Sequence, residues 1–463
     1  MVLSKFIGDK KFYKKVLAIA LPIMLQNGIT NFVNLLDNIM VGKIGPEEMT
    51  GVAIVNQLFF VFNLCVFGGF SGVGIFTAQF FGKGDMKGVR DSMRYKIWLC
   101  VILSAVALVL FGIFGEPLVK VFLYESDSNV DIAKTLAFAK DYIGVLLLGI
   151  VPFAVTQMYS STLRETGKTV PPMLCGISAV VINLVFNYLL IFGHFGFPRL
   201  GVVGAAIATV LSRYIECIAI IIWTHATKKK NPFIDGLYKT LRVPAHIVKD
   251  VSLKGLPLLF NEAFWSLGVT MLAQCFSTRG LDVVGAHNIC STISNVFNMV
   301  FISLGSAISI IIGNLLGASK MEEARDTDNK LLAFTVVSST FIALIMAAFS
   351  GVFPQIYNTT ESVKDLATFF IIVMACYMPL NAFINGAYFT LRSGGKTYIT
   401  FLFDSAYIWA VNVSIAYILT RFTSLSIYPI FIICYAVDVI KAIIGIILIK
   451  KGTWISNIVA DKK

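Results

Sequence analysis

The stretch Leu163-Arg164-Glu165-Thr166-Gly167-Lys168-Thr169 decides the fold, because a closely similar polar sequence follows 228 residues later as Leu391-Arg392-Ser393-Gly394-Gly395-Lys396-Thr397. Both copies come at the end of a long apolar run. A second pair of loops agrees, since Gly82 and Arg90 have counterparts in Gly317 and Arg325 at an offset of 235. Polar loop motifs that recur in register indicate an internal duplication.

The composition sets the class of protein. Of the 463 residues, 57% are hydrophobic and 14% charged, and the mean hydropathy of +0.80 is too high for a soluble globule. A bilayer requires ~20 apolar residues per helix. That template predicts an all-α integral membrane protein with twelve transmembrane helices, near residues 14–41, 50–81, 92–114, 137–163, 170–195, 201–226, 247–278, 285–316, 328–352, 363–392, 396–421 and 426–450.

The net charge of +12 raises the possibility of a nucleic-acid partner, but the basic residues lie in the short loops between spans. With the N-terminus inside, 28 of the 38 Lys and Arg fall in inward segments, 8 in outward segments and 2 within spans. The positive-inside rule therefore predicts a multi-pass protein with both termini in the cytoplasm. The bilayer, rather than nucleic acid, is the expected surrounding partner.

The longest inward loop divides the chain into two pseudo-symmetric six-helix lobes. We expect an N-terminal lobe at 1–226, a cytoplasmic linker at 227–254 and a C-terminal lobe at 255–463. Six is even, so the repeats are parallel and related by an axis along the membrane normal. Corresponding helices one, four, seven and ten contain a proline and are candidates for bending: Pro22, Pro152, Pro257 and Pro379. This plan is that of a two-lobed secondary transporter for a small molecule, expected to be monomeric.

An acid within the first span marks the candidate site. The stretch Asn34-Leu-Leu-Asp37-Asn-Ile-Met-Val-Gly42 places a carboxylate in an apolar helix, where ionisable groups usually face a protein interior or a wet cavity. The alternative is a carboxylate that reaches the nearby interface. Asn183 and Asn187 share one face of helix five, and Thr209 lies at a comparable depth in helix six. Four oxygen-bearing side chains could converge there, although hydrogen bonding between helices also explains the two asparagines.

Several motifs together resemble one family. They are Leu21-Pro22, Leu36-Asp37-Asn38-Ile-Met-Val-Gly42, Gln79-Phe-Phe-Gly82-Lys83-Gly84-Asp85, Leu163-Arg164-Glu165-Thr166-Gly167-Lys168-Thr169 and Gly204-Ala-Ala-Ile-Ala-Thr209. In this order, on a doubled frame, they resemble a prokaryotic multidrug and toxic compound extrusion (MATE) transporter. The resemblance implies an antiporter in a bacterial or archaeal plasma membrane, which exports organic, often cationic, amphipathic compounds in exchange for Na⁺ or H⁺. It implies no cofactor beyond that coupling ion.

The resemblance also implies a cation site in the first lobe, formed by Asp37, Asn183, Asn187 and Thr209. Many relatives carry an aspartate where this chain has Asn187. Hard cations such as Na⁺ accept amide and hydroxyl oxygens, but a missing carboxylate weakens the site. Asp37 would then be the only formal charge, and it is equally suited to carry a proton.

A second acid, Glu262, lies near the middle of helix seven, beside Asn261 and one turn beyond Pro257. It resembles a glutamate that one branch of the family uses for cation coupling. The usual aspartate partner on helix ten is replaced by Asn381, with Asn385 one turn further. Either acid could couple the ion, or Glu262 could contact a cationic substrate. Aromatic and methionine side chains are expected to form an adaptable cavity wall: Phe264, Trp265, Met158 and Tyr159.

The other charges within spans are interpreted as structural. Asp438 and Lys441 are expected to neutralise each other at i, i+3, as are Arg213 and Glu216, whereas Asp404 has no evident partner. No catalytic or nucleotide-binding motif points to an enzyme. Two other functions stay open: a lipid-linked oligosaccharide flippase of the same superfamily, which tends to line its cavity with arginines, and a channel.

Overall fold

The computed structural model describes residues 5–122, 131–357 and 359–460, and within these ranges it contains helices and no strand. Twelve helices are long and apolar enough to cross a membrane. We number them α1 to α12 in chain order. Their bounds are Lys10–Gly42, Pro46–Lys83, Met86–Phe122, Ile132–Glu165, Val170–Phe192, Gly201–Ala226, Ala245–Ser277, Leu281–Gly317, Met321–Ala348, Glu361–Ser393, Thr397–Phe422 and Ile427–Lys450.

The predicted all-α membrane fold is confirmed, and each predicted span corresponds to one helix. Six of the twelve helices, α1 to α4, α8 and α9, begin four to seven residues before the predicted start. For example, α2 begins at Pro46 with Glu47 and Glu48 in its first turn, where acids interact favourably with the helix dipole. Hydropathy marks only the apolar part of a helix, so such polar first turns were missed.

Three spans are irregular, and each irregularity has a local cause or consequence. In α4 a 3₁₀ turn occupies Leu147–Gly149, where the ring of Pro152 would clash with the carbonyl four residues earlier. The wider π-helix occurs in α11 over Leu402–Ala406 and again over Ile408–Val413. In α12 a turn at Val437 separates Ile427–Ala436 from Asp438–Lys450. The last two irregularities bear directly on the polar network described below.

The chain divides into two compact units. The N-terminal unit comprises Leu25–Thr77 and Met86–Val251, and the C-terminal unit comprises Met1–Met24, Ala78–Asp85 and Ser252–Lys463. The first part of α1 and the last turns of α2 therefore belong to the C-terminal unit. Most of the expected linker, up to Val251, belongs to the N-terminal unit. The division of the repeat at residues 226 and 254 stays a prediction.

In the N-terminal unit, α5 and α6 pack closely because Gly204 has no side chain. A Cβ atom on Gly204 would lie 2.6 Å from the Leu190 carbonyl oxygen. A buried ion pair joins α3 to α4, since Lys96 Nζ lies 2.6 Å from Glu165 Oε2 and 2.9 Å from Ser161 Oγ. The hydroxyl compensates part of the cost of burying the Lys96 ammonium.

In the C-terminal unit, α8, α9 and α10 pack around one apolar cluster. Gly386 on α10 admits Leu332 of α9, whose methyl carbon would be 2.6 Å from a Cβ at that position. The start of α1 adds buried side chains to this cluster, with Val16, Ala20 and Ile23 among them. The end of the described chain also belongs to it, because Trp454 is 1% exposed. These contacts make the core on which α7 and α11 place their polar residues.

Candidate functional site

The four polar residues expected in the first lobe meet in the N-terminal unit. Asn187 Nδ2 donates to Asp37 Oδ1 over 2.6 Å and to Asn183 Oδ1 over 3.2 Å. Asn183 Nδ2 donates to Thr209 Oγ1 over 3.3 Å. The depth count along α1, α5 and α6 therefore predicted the right neighbours. Their function as ion ligands stays a prediction.

Helix geometry explains the convergence. The i, i+4 spacing of Asn183 and Asn187 puts both amides on one face of α5, and the close approach at Gly204 brings Thr209 of α6 beside them. Thr209 Oγ1 donates to the Ala205 carbonyl four residues earlier, over 3.0 Å, so its oxygen lone pairs remain available to accept. Both asparagines are buried, whereas Asp37 and Thr209 are half-buried.

The oxygens of this site are not all satisfied. Asn187 Oδ1 is buried and has no hydrogen-bond partner among the described residues. The Asn183 amide fits the site in two orientations that differ by a half-turn. The first turns its oxygen toward Asp37; the second, which gives both amide atoms a suitable partner, places its nitrogen 3.2 Å from Asp37 Oδ1 and 3.0 Å from Oδ2. The first orientation gathers acceptor oxygens around a carboxyl group, an arrangement that suits a bound cation or a protonated acid. The second suits an ionised carboxylate without a cation.

One residue near this site was missed by sequence reasoning. The Tyr142 hydroxyl on α4 lies 3.5 Å from Asn56 Oδ1 and is close to Thr209 and Asp37. A tyrosine in an apolar span carries no distinctive signal in the sequence. Its position here depends on the packing of α4 against α6, which sequence spacing does not reveal.

The second acid, Glu262, belongs to a polar network in the C-terminal unit. The Tyr388 hydroxyl donates to Glu262 Oε1 over 2.8 Å, and Asn261 Nδ2 donates to the Tyr388 oxygen over 3.3 Å. Asn261 Nδ2 also lies 3.0 Å from Asp404 Oδ2 on α11. Asn261 thus links Tyr388, the partner of Glu262, to Asp404, so the network extends to a further acid.

Asp404 is not without a partner, and the expectation from sequence is wrong. Lys441 Nζ on α12 lies 2.9 Å from Asp404 Oδ1, with both side chains largely buried. The Lys441 ammonium also lies over the rings of Phe403 at 5.4 Å and Tyr407 at 5.7 Å. A carboxylate and two aromatic faces thus surround one cation.

The expected pair of Asp438 with Lys441 is also wrong. Asp438 accepts from the Tyr377 hydroxyl and, over 2.9 Å, from Asn412 Nδ2. The π-helical winding of α11 changes which of its residues face the neighbouring helices, and the partners Asp404 and Asn412 both lie in π-helical stretches. Asp438 and Lys441 lie in the same regular piece of α12, Asp438–Lys450, so their i, i+3 spacing is intact. They do not pair because each has a partner on another helix, Tyr377 and Asn412 for Asp438 and Asp404 for Lys441.

Asn381 and Asn385 lie on one face of α10 with Tyr388, at i, i+4 and i+7, and both are half-buried. Asn385 packs against α8, since a Cβ on Gly305 would lie 2.5 Å from its Oδ1. That oxygen is buried and has no partner among the described residues. Both asparagines thus share a face with Tyr388 of the Glu262 network, and Asn385 contacts the neighbouring helix α8.

The four expected cavity-wall residues differ in exposure. Phe264 and Trp265 are 45% and 37% exposed, and Phe264 borders a groove of about 460 Å³ whose wall includes Ser405. Ser405 Oγ lies 2.8 Å from Asn261 Oδ1, so this groove borders the polar network. Met158 and Tyr159, by contrast, are buried. The Tyr159 hydroxyl contacts His225 and Tyr238, so these two side chains do not line an open cavity in this structure. Their place in a cavity wall stays a prediction.

The comparisons with known proteins agree with the duplicated fold. The MatE family model matches the chain twice, at residues 22–189 and 257–418. The chain belongs to the MATE family of membrane transporters. The two matches begin at Pro22 and Pro257, the positions that the repeat pairs.

Among curated proteins, this MATE chain is 23% identical to "Probable multidrug resistance protein NorM" of Thermotoga maritima, over 95% of the chain and 93% of the relative. It is 26% identical to the protein of the same name in Bacillus subtilis, over 89% of each. A MATE structure in the bent conformation superposes with a TM-score of 0.84 at 19% identity, covering 96% of each chain. An outward-facing multidrug resistance MATE transporter gives 0.83 at 20% identity, over 97% of each. At these identities the structural likeness establishes the fold.

Proposed function

We propose that this MATE protein is a secondary active efflux transporter of the plasma membrane. It exports organic, cationic and amphipathic compounds by alternating access, in exchange for Na⁺ or H⁺. The names of the NorM relatives, which describe multidrug resistance, support the substrate class. A monomer with both termini in the cytoplasm belongs to the same proposal, on the distribution of Lys and Arg.

The observation that carries the proposal is the oxygen cluster around Asp37. A carboxylate, two amides and a hydroxyl from three helices supply ligands of the kind that hard cations prefer. The orphaned Asn187 Oδ1 is available to such an ion, because it has no hydrogen bond to give up. An empty site would leave that buried acceptor unsatisfied, which costs about 1–3 kcal/mol.

The same cluster can serve a proton. A protonated Asp37 donates a hydrogen bond to the Asn183 oxygen, whereas the ionised form accepts from the Asn183 nitrogen after a half-turn of the amide. The amide therefore couples its orientation to the charge state of Asp37. Because Asn183 also contacts Thr209 on α6, a change at Asp37 of α1 is transmitted to two further helices.

Glu262 provides the second ionisable group of the proposal. Its network contains two acids, Glu262 and Asp404, and Lys441 compensates Asp404. Glu262 accepts a hydrogen bond from the Tyr388 hydroxyl, and the positive charge of Arg392, whose guanidinium lies 6.0 Å from the Tyr388 ring, also acts on it. We assign it either to ion coupling or to the cationic end of the substrate.

The flippase alternative is disfavoured by the charge of the buried residues. A pyrophosphate carrier needs cations that are free to bind phosphate. Of the two cations that the sequence places within spans, Lys441 is held by Asp404, which leaves Arg213 alone. The Arg213 guanidinium lies over the Phe153 ring at 5.1 Å, and its Nη1 has no hydrogen bond among the described residues. A channel needs neither of the two acidic clusters.

The test is dye efflux from vesicles that contain the purified protein, with Na⁺ and pH gradients imposed separately. We expect one of the two gradients to drive efflux of a cationic dye. Asp37→Asn should abolish the ion dependence, because the amide neither binds Na⁺ with a full charge nor carries a proton. Glu262→Gln should reduce either the ion dependence or the affinity for the dye.

Matched controls neutralise acids on exposed turns: Asp326→Asn and Glu361→Gln, whose carboxylates pair with nearby lysines at the surface. Both should transport like the parent protein. Ion-driven efflux that is unchanged in both Asp37→Asn and Glu262→Gln contradicts the proposed coupling. Dye movement without any gradient dependence indicates a channel, and transfer of a lipid-linked sugar without dye efflux indicates a flippase.

A further inference from the structure

The segment between α6 and α7 is fastened along α3. Three α3 side chains at four-residue intervals donate to its carbonyl oxygens: Arg90 to Phe233 over 3.3 Å, Arg94 to Leu237 over 3.1 Å, and Trp98 to Leu241 over 3.0 Å. The acceptors are also four residues apart. We call residues 233–241 the strap. The two matched spacings hold it parallel to one face of α3, and all of these residues belong to the N-terminal unit.

A groove of about 560 Å³ opens where the strap ends. It is lined by Tyr95, Trp98, Leu99 and Ile102 of α3, by Leu241 at the end of the strap, by Arg242 and Val243 after the strap, and by Val248 of α7. Its walls are therefore apolar and aromatic, with one guanidinium among them. The hydrogen bond from Trp98 to Leu241 fixes the position of the strap end that forms one wall.

This groove lies on a surface that faces lipid. Of the twelve spans, α3 has the smallest buried share in its most apolar window, 22%. Ile102 and Val101 are each 54% exposed, and Trp98 is 50% exposed. Tryptophan is enriched at the level of the lipid headgroups, where its ring meets hydrocarbon and its N–H meets polar groups. Trp98 thus marks the boundary between hydrocarbon and headgroups beside the groove.

The electrostatics at this end of α3 favour an anion. Residues 227–251 contain six Lys and Arg against two Asp. Arg242 is the basic residue that lines the groove, and its side chain is exposed. Guanidinium groups bind phosphate through two parallel hydrogen bonds, and basic pockets between membrane helices bind anionic headgroups.

We propose that this groove binds one anionic phospholipid. Its phosphate contacts Arg242, its glycerol region lies beside Trp98, and one acyl chain packs on Leu99, Ile102 and Val248. The lipid then touches both α3 and the end of the strap. Its binding energy adds to the three hydrogen bonds, so an occupied site holds the connection between the two halves of the chain more firmly against α3.

The experiment is native mass spectrometry of the full-length protein, released from detergent with phosphatidylglycerol or phosphatidylcholine. We expect the parent protein to retain one phosphatidylglycerol at concentrations where phosphatidylcholine is lost. Arg242→Gln should weaken phosphatidylglycerol retention about five- to tenfold, since one basic residue near an anionic headgroup contributes about 1 kcal/mol or more. Lys239→Gln is the matched control, because Lys239 is exposed on the strap but does not line the groove.

A second variant separates a lipid site from general charge attraction. Val248→Trp fills the groove while Arg242 stays in place, and Val248 is 39% exposed, so the larger ring is accommodated. This variant should also lose the lipid. Equal retention of the two lipids, or equal losses in Arg242→Gln and Lys239→Gln, would overturn the proposal. Displacement of phosphatidylglycerol by inorganic phosphate alone, with no effect of Val248→Trp, would mean a simple anion site and would also overturn it.

Discussion

Gly82 at the end of α2 and Gly317 at the end of α8 make a reciprocal contact. A Cβ on Gly82 would overlap the Asn314 carbonyl, and a Cβ on Gly317 would overlap the Gln79 carbonyl. The four residues form two pairs with the same offset of 235, and each glycine lies three residues after the carbonyl that the other one meets. Two duplicated helix ends therefore approach each other through duplicated positions.

Replacing either glycine should destabilise the protein. Gly82→Ala or Gly317→Ala places a methyl group on a backbone atom that cannot rotate away, so the helices must separate. We expect a loss of about 2 kcal/mol or more, at the upper end of overpacking costs, visible as a lower thermal unfolding temperature in detergent. Gly144→Ala is the control, because Gly144 lies within α4 with open space at its Cβ position. An unchanged unfolding temperature in Gly82→Ala would contradict the contact.

The Asp404–Lys441 pair should show strong coupling in a double-mutant cycle. Lys441→Met leaves Asp404 charged and buried, which costs about 3–5 kcal/mol. The double variant Asp404→Asn with Lys441→Met should recover most of that stability, since the amide still accepts from Asn261. Lys320→Met breaks the exposed pair with Glu323 and should cost about 1 kcal/mol or less. Additive losses in the cycle would show that the two groups do not interact.

Asp37 and Asp404 show how much of a polar site can be predicted from the sequence. Counting residues from the span ends predicts that four polar residues are neighbours, because α1, α5 and α6 are regular α-helices at these positions: Asp37, Asn183, Asn187 and Thr209. The partners of Asp404 could not be found that way. They depend on the π-helical turns of α11, which have no clear signature in the residue types.

The strap was missed for a different reason. The hydrogen-bond donors on α3 are side chains that can be recognised in the sequence. The acceptors in the strap are backbone carbonyls, which any residue supplies. Sequence patterning therefore predicted a basic linker and gave no indication that it is held in place. Tyr159 illustrates the same limit, since its hydrogen-bond partners, Tyr238 and His225, lie in and beside this segment.

Restoring a second carboxylate in the Asp37 cluster should reveal its ion. Asn187 Nδ2 lies 2.6 Å from Asp37 Oδ1 in the parent protein. In Asn187→Asp a second carboxylate takes the place of this amide, and the two carboxylates repel each other unless a cation binds between them. We expect a variant that unfolds at a lower temperature in K⁺ and is stabilised by Na⁺ more than the parent protein, because ligands that bind only the folded state stabilise it.

If the cluster serves protons, the same variant should instead be stabilised by acidic pH and be indifferent to Na⁺. Asn385→Asp introduces a carboxylate in the C-terminal unit and should not reproduce the response to Na⁺. Insensitivity of Asn187→Asp to both Na⁺ and pH would remove this cluster as the coupling site.

Gln79 should be necessary for holding the end of the chain in place. Its side chain is fully buried, and Nε2 donates to the carbonyls of Ser393 over 3.0 Å and Ser456 over 3.1 Å. Its Oε1 accepts from Ile458 N over 2.9 Å. Gln79→Leu removes all three bonds and leaves those backbone groups unsatisfied, so we expect a loss of about 2–3 kcal/mol. Amide hydrogen exchange should accelerate at residues 454–459.

Gln79→Glu separates the acceptor function of the Gln79 amide from its donor function. The carboxylate still accepts from Ile458 N but cannot donate to the two carbonyls, and it brings a charge into a buried site, so it should destabilise the protein at least as much as Gln79→Leu. Exchange at the strap serves as the internal control, because its bonds to α3 do not involve Gln79. Acceleration at the strap that equals the acceleration at residues 454–459 would mean global unfolding rather than release of the chain end.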